Sequence, residues 1–568
     1  MTEITDRITP EMSEEEVLGV FLDEIMAWAE PDVAEALRFC AIPHWFNEEI
    51  IAWLRGEGLN PSQRSREILA ALTELTFVGP YHERGWVYHE NVRDLLLRRW
   101  RERDSQEFKE LSGRAAGYFE QKAEAATDAE RDEWEREQMY HLLAADSERG
   151  FELFTDMFGE ARSFYQLSTC ALLLELAEEQ ETQLSADDRL WLRFCQGQLA
   201  RESAQWAEAL AIFEGLWGEE LSPSLESALA NDLGLLYRYK GEWERAVEYY
   251  ERSLAIKEKM GDDEHGMATT YNNLGEVYRV KGEWERAIEC YKRSLAINEK
   301  VGDEHLMAVT FNTLGLVYKD KREWKRAIEY YERSLAIWEK VGDEHGMAAT
   351  FDNLGLVYQA KKEWDRAMEY HERSLAIYEK VGDEYGRAFT FNNLGGVYQA
   401  KEEWERAIEC YERSLAIREK IGDEHGMSTT FNNLGLVYQA KGEWERAMEY
   451  FEEDLAICEK LGDEYGMIPT FTNLGGVYQA RGEWERAVEC YERSLAILEK
   501  VGDEHGMAFS YNNIARLYQD QGKLQEAVPL FKKSVKILER IGDEYHAKLG
   551  RENLARAKRE LEARKGQA

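Results

Sequence analysis

The stretch NLGLVYQAKKEWDRAMEYHERSLAIYEKVGDE, residues 353–384, returns with small changes every 40 residues. Leu354 has equivalents at Leu274, Leu314, Leu394, Leu434 and Leu474, then at Ile514 and Leu554. A period this long indicates a stacked array rather than a closed globule. Apolar residues follow helical spacing before and after Glu363-Trp364, which predicts two helices per repeat, called A and B. Because one helix pair cannot bury its own apolar face, neighbouring repeats must stack.

The residues of one copy also match a known repeat pattern. Leu394-Gly395, Tyr398, Ala407, Tyr411 and Ser414 resemble the signature of the tetratricopeptide repeat family, whose usual repeat has about 34 residues. The 40-residue form, with a Gly-Asp hinge and an Asn-Leu-Gly signature, is similar to the repeats of spindle-orientation adaptors and, less closely, of kinesin light chains. The resemblance covers about residues 190–560. It implies an all-α fold, a right-handed superhelix (an α-solenoid) with helix A on its concave side.

The sequence divides into five predicted segments. We expect a flexible N-terminus (1–12), a winged-helix-like domain (13–103), a helical connector with degenerate hairpins (104–190), an array of about eight to nine tetratricopeptide hairpins (191–552), and a C-terminal capping helix and tail (553–568). The second segment predicts helices near 14–29, 32–40, 47–55 and 63–74, a hairpin punctuated by Pro80 and Gly85, and a helix over 90–103. In the connector we expect helices at 108–125, 134–145, 151–158, 161–167 and 171–179.

Two motifs in the second segment are similar to the winged helix of STAND-type signalling ATPases. They are residues 36–43, ALRFCAIP, and residues 88–96, YHENVRDLL. In that family a Met-His-Asp motif stands at this point, and its histidine contacts the phosphate of bound ADP, so the resemblance implies a nucleotide contact at His89. Here Tyr88 and Glu90 replace the outer residues, and no Gly-x-x-x-x-Gly-Lys-Ser/Thr phosphate loop occurs in the sequence. We therefore interpret His89 as a structural or relict residue, with contact to a nucleotide module on a separate chain as the alternative.

Charge and cysteine usage exclude several classes of function. The formal net charge of −40 argues against a nucleic-acid backbone or an anionic membrane as the main partner. The seven cysteines include no Cys-x-x-Cys pair, which indicates reduced thiols and no zinc site of that type. Residues 1–5 do not read as a signal peptide and no apolar run of 18 residues exists, so we expect a cytoplasmic protein without a membrane span.

Among the recurring residues, the histidines are the best candidates for metal ligands. His265, His305, His345, His425 and His505 lie in the hinge between B and the next A helix. Because they belong to different repeat edges, they do not predict ligands that converge on one ion. The repeats also place the same residues everywhere, whereas a catalytic site needs one unique cluster. We expect no metal, no cofactor and no enzymatic activity.

Two rows of asparagine predict the binding surface. One row precedes the Leu-Gly pair, at Asn273, Asn353, Asn393, Asn433, Asn473, Asn513 and Asn553, and the other stands one residue earlier, at Asn272, Asn312, Asn392, Asn432 and Asn512. Asparagine is a mediocre helix former, and its amide suits the backbone of an extended peptide. Gln359, Gln399 and Gln439 would extend this polar strip. In the adaptors that the repeats resemble, asparagines here face the groove and hold a peptide. The alternative is that each asparagine bonds the neighbouring repeat and only sets the stacking.

The sequence as a whole predicts a non-enzymatic interaction scaffold or sensor arm. Its partner would be a protein or an extended peptide with basic flanks, bound in the concave groove, and nucleic acid is a disfavoured partner. The resemblance to STAND proteins implies a prokaryotic signalling or defence system whose effector or ATPase is a separate chain. Two alternatives stay open: a transcription regulator that uses the winged helix, and a receptor whose array changes curvature on binding a small ligand.

Overall fold

The computed structural model describes residues 12–82, 84–261 and 264–565. The predicted flexible N-terminus except Met12, the turn residue Glu83 and residues 566–568 of the predicted tail lie outside the described residues. The chain forms two compact units, residues 1–263 and 264–568.

The first unit opens with five helices and one small antiparallel sheet. The helices are α1 (Glu14–Trp28), α2 (Pro31–Phe39), α3 (Glu48–Leu54), α4 (Gln63–Thr73) and α5 (Glu90–Arg103), and the strands are β1 (Val78–Tyr81) and β2 (Gly85–Tyr88). The strands pair from Val78–Tyr88 to Tyr81–Gly85, and a single bridge joins Phe46 to Trp86. The expected helices and hairpin are present, and assignment of this region to the winged-helix class stays a prediction.

Eight further helices complete the first unit. They are α6 (Ser105–Ala125), α7 (Asp128–Ala145), α8 (Ser147–Ser163), α9 (Leu167–Glu178), α10 (Ala186–Glu202), α11 (Trp206–Trp217), α12 (Pro223–Tyr239) and α13 (Trp243–Met260), with a 3-10 turn at Glu181–Gln183. Consecutive helices in this part pack against one another, and those from α10 onward form the pairs α10–α11 and α12–α13.

The expectation of separate helices at 151–158 and 161–167 is wrong. Helix α8 runs unbroken to Ser163. Phe151, Phe154, Phe158 and Ala161 recur at a spacing of three or four residues, and all four are buried. This continuous apolar face packs into one core and keeps the helix intact across the predicted break.

The second unit consists of repeated helix pairs. The A helices are α14 (Glu264–Val280), α16 (Glu304–Asp320), α18 (Glu344–Ala360), α20 (Glu384–Ala400), α22 (Glu424–Lys441), α24 (Glu464–Ala480) and α26 (Glu504–Asp520). The B helices are α15 (Trp284–Val301), α17 (Trp324–Val341), α19 (Trp364–Val381), α21 (Trp404–Ile421), α23 (Trp444–Leu461), α25 (Trp484–Val501) and α27 (Leu524–Arg540). Helix α28 (Glu544–Lys565) follows the last pair.

The Gly-Asp hinge sets the ends of the helices as the sequence predicts. Gly382 has a φ of 75° and ends α19 in the left-handed conformation that glycine adopts without strain. The Asp383 side chain then accepts a hydrogen bond of 2.9 Å from the backbone nitrogen of Gly386, which caps α20.

In the first six repeats of the second unit a glycine of helix A packs against an aromatic ring of helix B, and Ala515 takes the glycine position in the seventh. A Cβ added at Gly395 would lie 2.6 Å from Cε1 of Tyr411, and one added at Gly435 would lie 2.5 Å from Cε1 of Phe451. Both rings are buried almost completely. Only the hydrogen atom of glycine fits at this position. The backbone of helix A therefore contacts the ring of helix B directly.

The A helices lie closer to one another than the B helices do. Successive A helices from α14 to α24 contact one another directly across the repeats, whereas the contacts between successive B helices in the described chain are weaker. The accessible faces of the A helices therefore form one continuous surface within the second unit. The all-α solenoid class predicted from the repeats is confirmed, and no helix among the described residues is long and apolar enough to cross a membrane.

Two adjacent glycines test this packing. We expect Gly395→Leu to lower the free energy of unfolding by about 1–3 kcal/mol or more, because the added atoms collide with the Tyr411 ring. Gly396→Leu is the matched control, since a Cβ there meets the flexible amide of Gln359 at 3.1 Å and the Tyr411 hydroxyl at an ordinary contact distance of 3.8 Å. The equivalent residues Leu356 and Leu436 are leucine. Urea denaturation followed by circular dichroism measures both; equal losses would contradict the packing role of Gly395.

Candidate interaction surface on the A helices

One face of each A helix stays accessible after the repeats have stacked. In α20 this face carries Phe389, Asn392, Asn393, Gly396 and Gln399, which are half-buried or exposed. Their spacing of three and four residues places them along one side of the helix. The residues between them, such as Leu394 and Val397, are buried. The term A-face is used below for this side of helices α14 to α26.

The asparagine rows lie on the A-face, and the two rows bond to each other across neighbouring repeats. Asn353 donates from Nδ2 to Oδ1 of Asn312 at 3.1 Å, and Asn433 donates to Asn392 at 3.0 Å. The same bond joins Asn473 to Asn432 at 3.3 Å and Asn553 to Asn512 at 3.3 Å. All of these asparagines are half-buried, so one edge of each amide is used in stacking while the side chain keeps contact with solvent.

The remaining asparagines depart from this pairing. Asn272 exchanges hydrogen bonds with Thr310 of the next repeat, where Thr313 stands in place of an asparagine. Asn273, Asn432 and Asn513 are half-buried like the others, and Asn432 also donates to Asp454 and Thr470.

A buried charge interrupts the ladder in the third repeat. Asp352 replaces asparagine there and is 2% exposed. Its oxygens bond Nδ1 of His371 and the hydroxyl of Thr390, both at 2.7 Å. The Nδ2 of Asn393 in the next repeat is buried without a hydrogen-bond partner among the described residues.

The glutamines lie further along the A-face, beside two small residues. The Nε2 of Gln359 would be 3.1 Å from a Cβ at Gly396, and Nε2 of Gln439 would be 3.4 Å from a Cβ at Gly476. Gln399 accepts a hydrogen bond of 2.8 Å from the hydroxyl of Tyr411. The equivalent residues Leu316, Leu356 and Leu436 fill this position in other repeats. The A-face consequently has a shallow recess at Gly396 and another at Gly476.

Charges on the A-face are confined to its two ends. In the first two repeats Arg279 bonds Glu276 at 2.7 Å and also pairs with Asp320 at 2.5 Å. The hydrogen bond to Glu276 raises the pKa of Arg279, so this group stays cationic, while burial lowers the pKa of Lys319. At the far end Gln479 donates to Asp520 at 3.2 Å and Gln519 donates to Glu560 at 3.0 Å.

Between these ends the surface is uncharged apart from the buried Asp352 and carries exposed aromatic rings. Tyr385 and Phe389 of α20 are 62% and 39% exposed, and Tyr465 of α24 is 65% exposed. Phe389 and Gly396 are seven residues apart, which places the ring and the recess on the same side of the helix. Sequence reasoning missed these rings, although Phe389 and its equivalent Phe509 stand where the other copies have threonine, valine, alanine or proline.

His89, the other predicted site residue, lies far from this surface in the sequence and belongs to the first unit. It is exposed at the start of α5, and its side chain does not cap the helix. No partner of its imidazole occurs among the described residues, so the geometry assigns it no role.

A family model described as tetratricopeptide repeat matches residues 224–300, 266–340, 306–380, 386–460 and 467–540, together more than half of the chain. The chain belongs to the tetratricopeptide repeat family. Arrays of this family are typically non-enzymatic scaffolds that bind protein or peptide partners, and no catalytic family is indicated for this chain. The predicted repeat architecture is thereby confirmed.

Three solved structures are similar to this tetratricopeptide repeat chain. BtubC (BKLC) from P. vanneervenii is 27% identical, covers 39% of this chain and 91% of that chain, and has a TM-score of 0.33. A putative kinesin light chain from Podosopora anserina is 25% identical over 35% of this chain and 98% of that one, with a TM-score of 0.30. A STAND protein with a tetratricopeptide repeat sensor from Pyrococcus horikoshii is 16% identical over 80% and 67%, with a TM-score of 0.49. No curated protein matches the sequence.

The asparagine ladder of this repeat protein predicts unequal effects of one substitution. Asn353→Ala removes the bond to Asn312 and should lower the free energy of unfolding by about 1 kcal/mol. Asn393→Ala should cost clearly less, because the Nδ2 atom that it removes is buried without a partner. Urea denaturation of the two variants measures the difference, and a larger loss for Asn393→Ala would contradict the stacking role of the ladder.

Proposed function

We propose that the A-face of residues 264–520 binds an extended peptide segment of a partner protein, and that the chain serves as a non-enzymatic scaffold or sensor arm. The observation that carries this proposal is the uncharged stretch of paired amides between the two charged ends, with a recess at Gly396 beside an exposed ring at Phe389. The amides can hydrogen-bond an extended peptide, the recess can admit its backbone, and the ring can anchor one of its side chains.

The amide pairs keep hydrogen-bonding capacity after stacking. In the Asn353–Asn312 pair the stacking bond uses Nδ2 of Asn353 and Oδ1 of Asn312. Within the described part of the chain, Oδ1 of Asn353 and Nδ2 of Asn312 make no further hydrogen bond. The Asn433–Asn392 pair has the same arrangement. One acceptor and one donor per pair suit the N–H and C=O groups of an extended backbone, so stacking and binding use different atoms of the same ladder.

The recesses and the aromatic rings would supply the close approach and the anchors. Glycine at 396 and 476 lets a peptide backbone come nearer to helix A than leucine does in the neighbouring repeats. Gln359 and Gln399 flank the first recess with amides that can bond that backbone. Phe389 and Tyr385 offer exposed aromatic surface one helix turn apart, and buried aromatic contacts carry much of the energy of protein interfaces.

The charge of the chain favours a basic partner. With a formal net charge of −40, the protein attracts cationic segments and repels acidic ones over the range of its field. The centre of the A-face carries no exposed charge to pair with, so we propose an uncharged or apolar central segment with basic flanks. By the resemblance of the first unit to STAND proteins, the partner system would include a separate effector or ATPase chain.

The charges of the first unit do not favour DNA binding. In α4, Arg64 pairs with Glu30 at 2.6 Å and with Asp32 at 3.2 Å. In α5, Arg98 pairs with Glu15 at 2.7 Å and Arg99 pairs with Asp23 at 3.2 Å. A helix that reads DNA needs unpaired cations for phosphate contacts. A peptide-binding scaffold therefore fits the chain better than a winged-helix regulator.

Peptide selection tests the proposal without a known partner. Random peptides displayed on phage are selected against the full chain, and fluorescence anisotropy measures the affinity of the best peptide for designed variants. We expect Gly396→Leu to weaken binding by about ten-fold or more, because leucine fills the recess as in the third and fifth repeats. Phe389→Ala should weaken it by about 2 kcal/mol if the ring is an anchor.

The matched control lies on helix B of the same repeat. Arg413 is exposed on α21 and pairs with Glu409 of the same helix at 2.7 Å, so Arg413→Ala should leave peptide affinity unchanged. Circular dichroism confirms that each variant is folded. Unchanged affinity in both folded A-face variants, or loss of affinity only in Arg413→Ala, would refute peptide binding at the A-face.

A further inference from the structure

The last hinge of the array holds two histidines and an aspartate whose ligand atoms converge. Nε2 of His505 lies 3.1 Å from Oδ2 of Asp543, and Nδ1 of His546 lies 2.6 Å from the same oxygen. All three ligand atoms lie within 4.8 Å of one another, and no second group of this kind occurs among residues 12–82, 84–261 and 264–565. His505 belongs to the first turn of α26, and His546 to the first turn of α28.

The site arises from one departure from the repeat. The first three hinges contain the same His–Asp contact, at His265–Asp303, His305–Asp343 and His345–Asp383, with distances of 3.1, 3.4 and 3.0 Å. The residue three positions after the aspartate is Leu306, Gly346 or Gly386 in those hinges, and only in the last does an imidazole stand there, as His546. Reasoning from the 40-residue spacing considered His505 alone and so did not detect this convergence.

The surroundings hold the three groups in place. The other oxygen of Asp543 accepts a hydrogen bond of 3.0 Å from the backbone nitrogen of His546, which fixes the carboxylate at the start of α28. The Phe509 ring lies 4.8 Å from the His505 ring and 5.0 Å from the His546 ring, centroid to centroid. Glu504, which precedes His505, pairs with Arg540 at 2.9 Å, and Glu544, which follows Asp543, pairs with Arg551 at 3.4 Å. The carboxylate is thus oriented by a backbone bond and both imidazoles pack on one aromatic ring.

We propose that His505, Asp543 and His546 bind a first-row divalent transition-metal ion, with zinc as the class that fits best. Two imidazoles and one carboxylate form a borderline ligand set that suits zinc, cobalt or nickel rather than calcium or magnesium. Tetrahedral bonds of about 2.0–2.2 Å require ligand atoms about 3.3 Å apart, so the ion needs only small rotations of partly exposed side chains. Three protein ligands leave the fourth position for water.

The ion would crosslink α26, the last A helix, to α28, the last helix of the described residues. His505 is on α26, whereas Asp543 and His546 are on α28, and the B helix α27 separates them in the sequence. A metal bound only in the folded state stabilises that state by mass action. The site therefore crosslinks the C-terminal end of the array.

Metal titration of the full chain tests the proposal. Zinc chloride is titrated into chelator-treated protein by calorimetry, and cobalt chloride is titrated in parallel for the absorption bands of tetrahedral cobalt. We expect one tight site per chain, and His546→Gly should weaken zinc affinity by at least about ten-fold and abolish the cobalt bands. Glycine is the residue of most other repeats at this position, so the variant should keep its fold.

The matched control is His345→Ala, which removes a histidine from a hinge with only two ligands. It should leave stoichiometry, affinity and cobalt bands unchanged. Thermal unfolding supplies a second measurement: zinc should raise the midpoint of the wild type and of His345→Ala but not that of His546→Gly. Equal zinc affinity in wild type and His546→Gly, or loss of the tight site in His345→Ala, would overturn the assignment.

Discussion

The contact between a helix A glycine and a helix B aromatic ring sets the geometry on which everything else in the second unit depends. From Gly275 on Tyr291 to Gly475 on Tyr491, an added Cβ would come within 2.5–2.8 Å of the facing ring. Because only hydrogen fits, the two helices of each of these six pairs are held at the same close approach of backbone to ring. That regularity brings the A helices into direct contact and aligns their accessible faces, so the ladder of asparagines can bond from repeat to repeat.

The regular part of this structure could be predicted because each repeat carries its own signals. Glycine at the left-handed position of Gly382 and aspartate at the cap position of Asp383 fix helix limits locally, without knowledge of distant contacts. Where such signals are weak, prediction failed. The expected break between residues 158 and 161, at Gly159-Glu160, does not occur in helix α8, because the apolar spacing from Phe151 to Ala161 continues through it and burial keeps the helix whole. In this helix, burial of the apolar face outweighs local helix propensity.

The atoms that the candidate surface offers could not be predicted from sequence. An asparagine amide bonds a neighbouring repeat or a bound backbone with the same atoms, and the spacing of Asn353 and Asn312 is compatible with both. The structure shows that stacking uses Nδ2 of Asn353 and Oδ1 of Asn312. The other atom of each amide remains available. The recess at Gly396 depends in the same way on where the Gln359 side chain of the preceding repeat lies. A convergence of residues from different repeats, such as His505 with His546, has no signature in either repeat alone.

Near-identical repeats make departures from the pattern informative. Selection for stacking alone would keep every position alike, because each interface has the same requirements. Yet Phe389, Gly396, Gly476 and His546 each differ from most of their equivalents at positions that face solvent or a hinge, where the core does not demand the change. Asp352 differs inside the core, but its partner His371 differs with it, since histidine replaces tyrosine or phenylalanine and supplies the hydrogen bond. A buried departure is thus compensated by a second one. The exposed departures at Phe389, Gly396 and Gly476 lie where we propose that a peptide binds, and His546 lies where we propose that a metal ion binds.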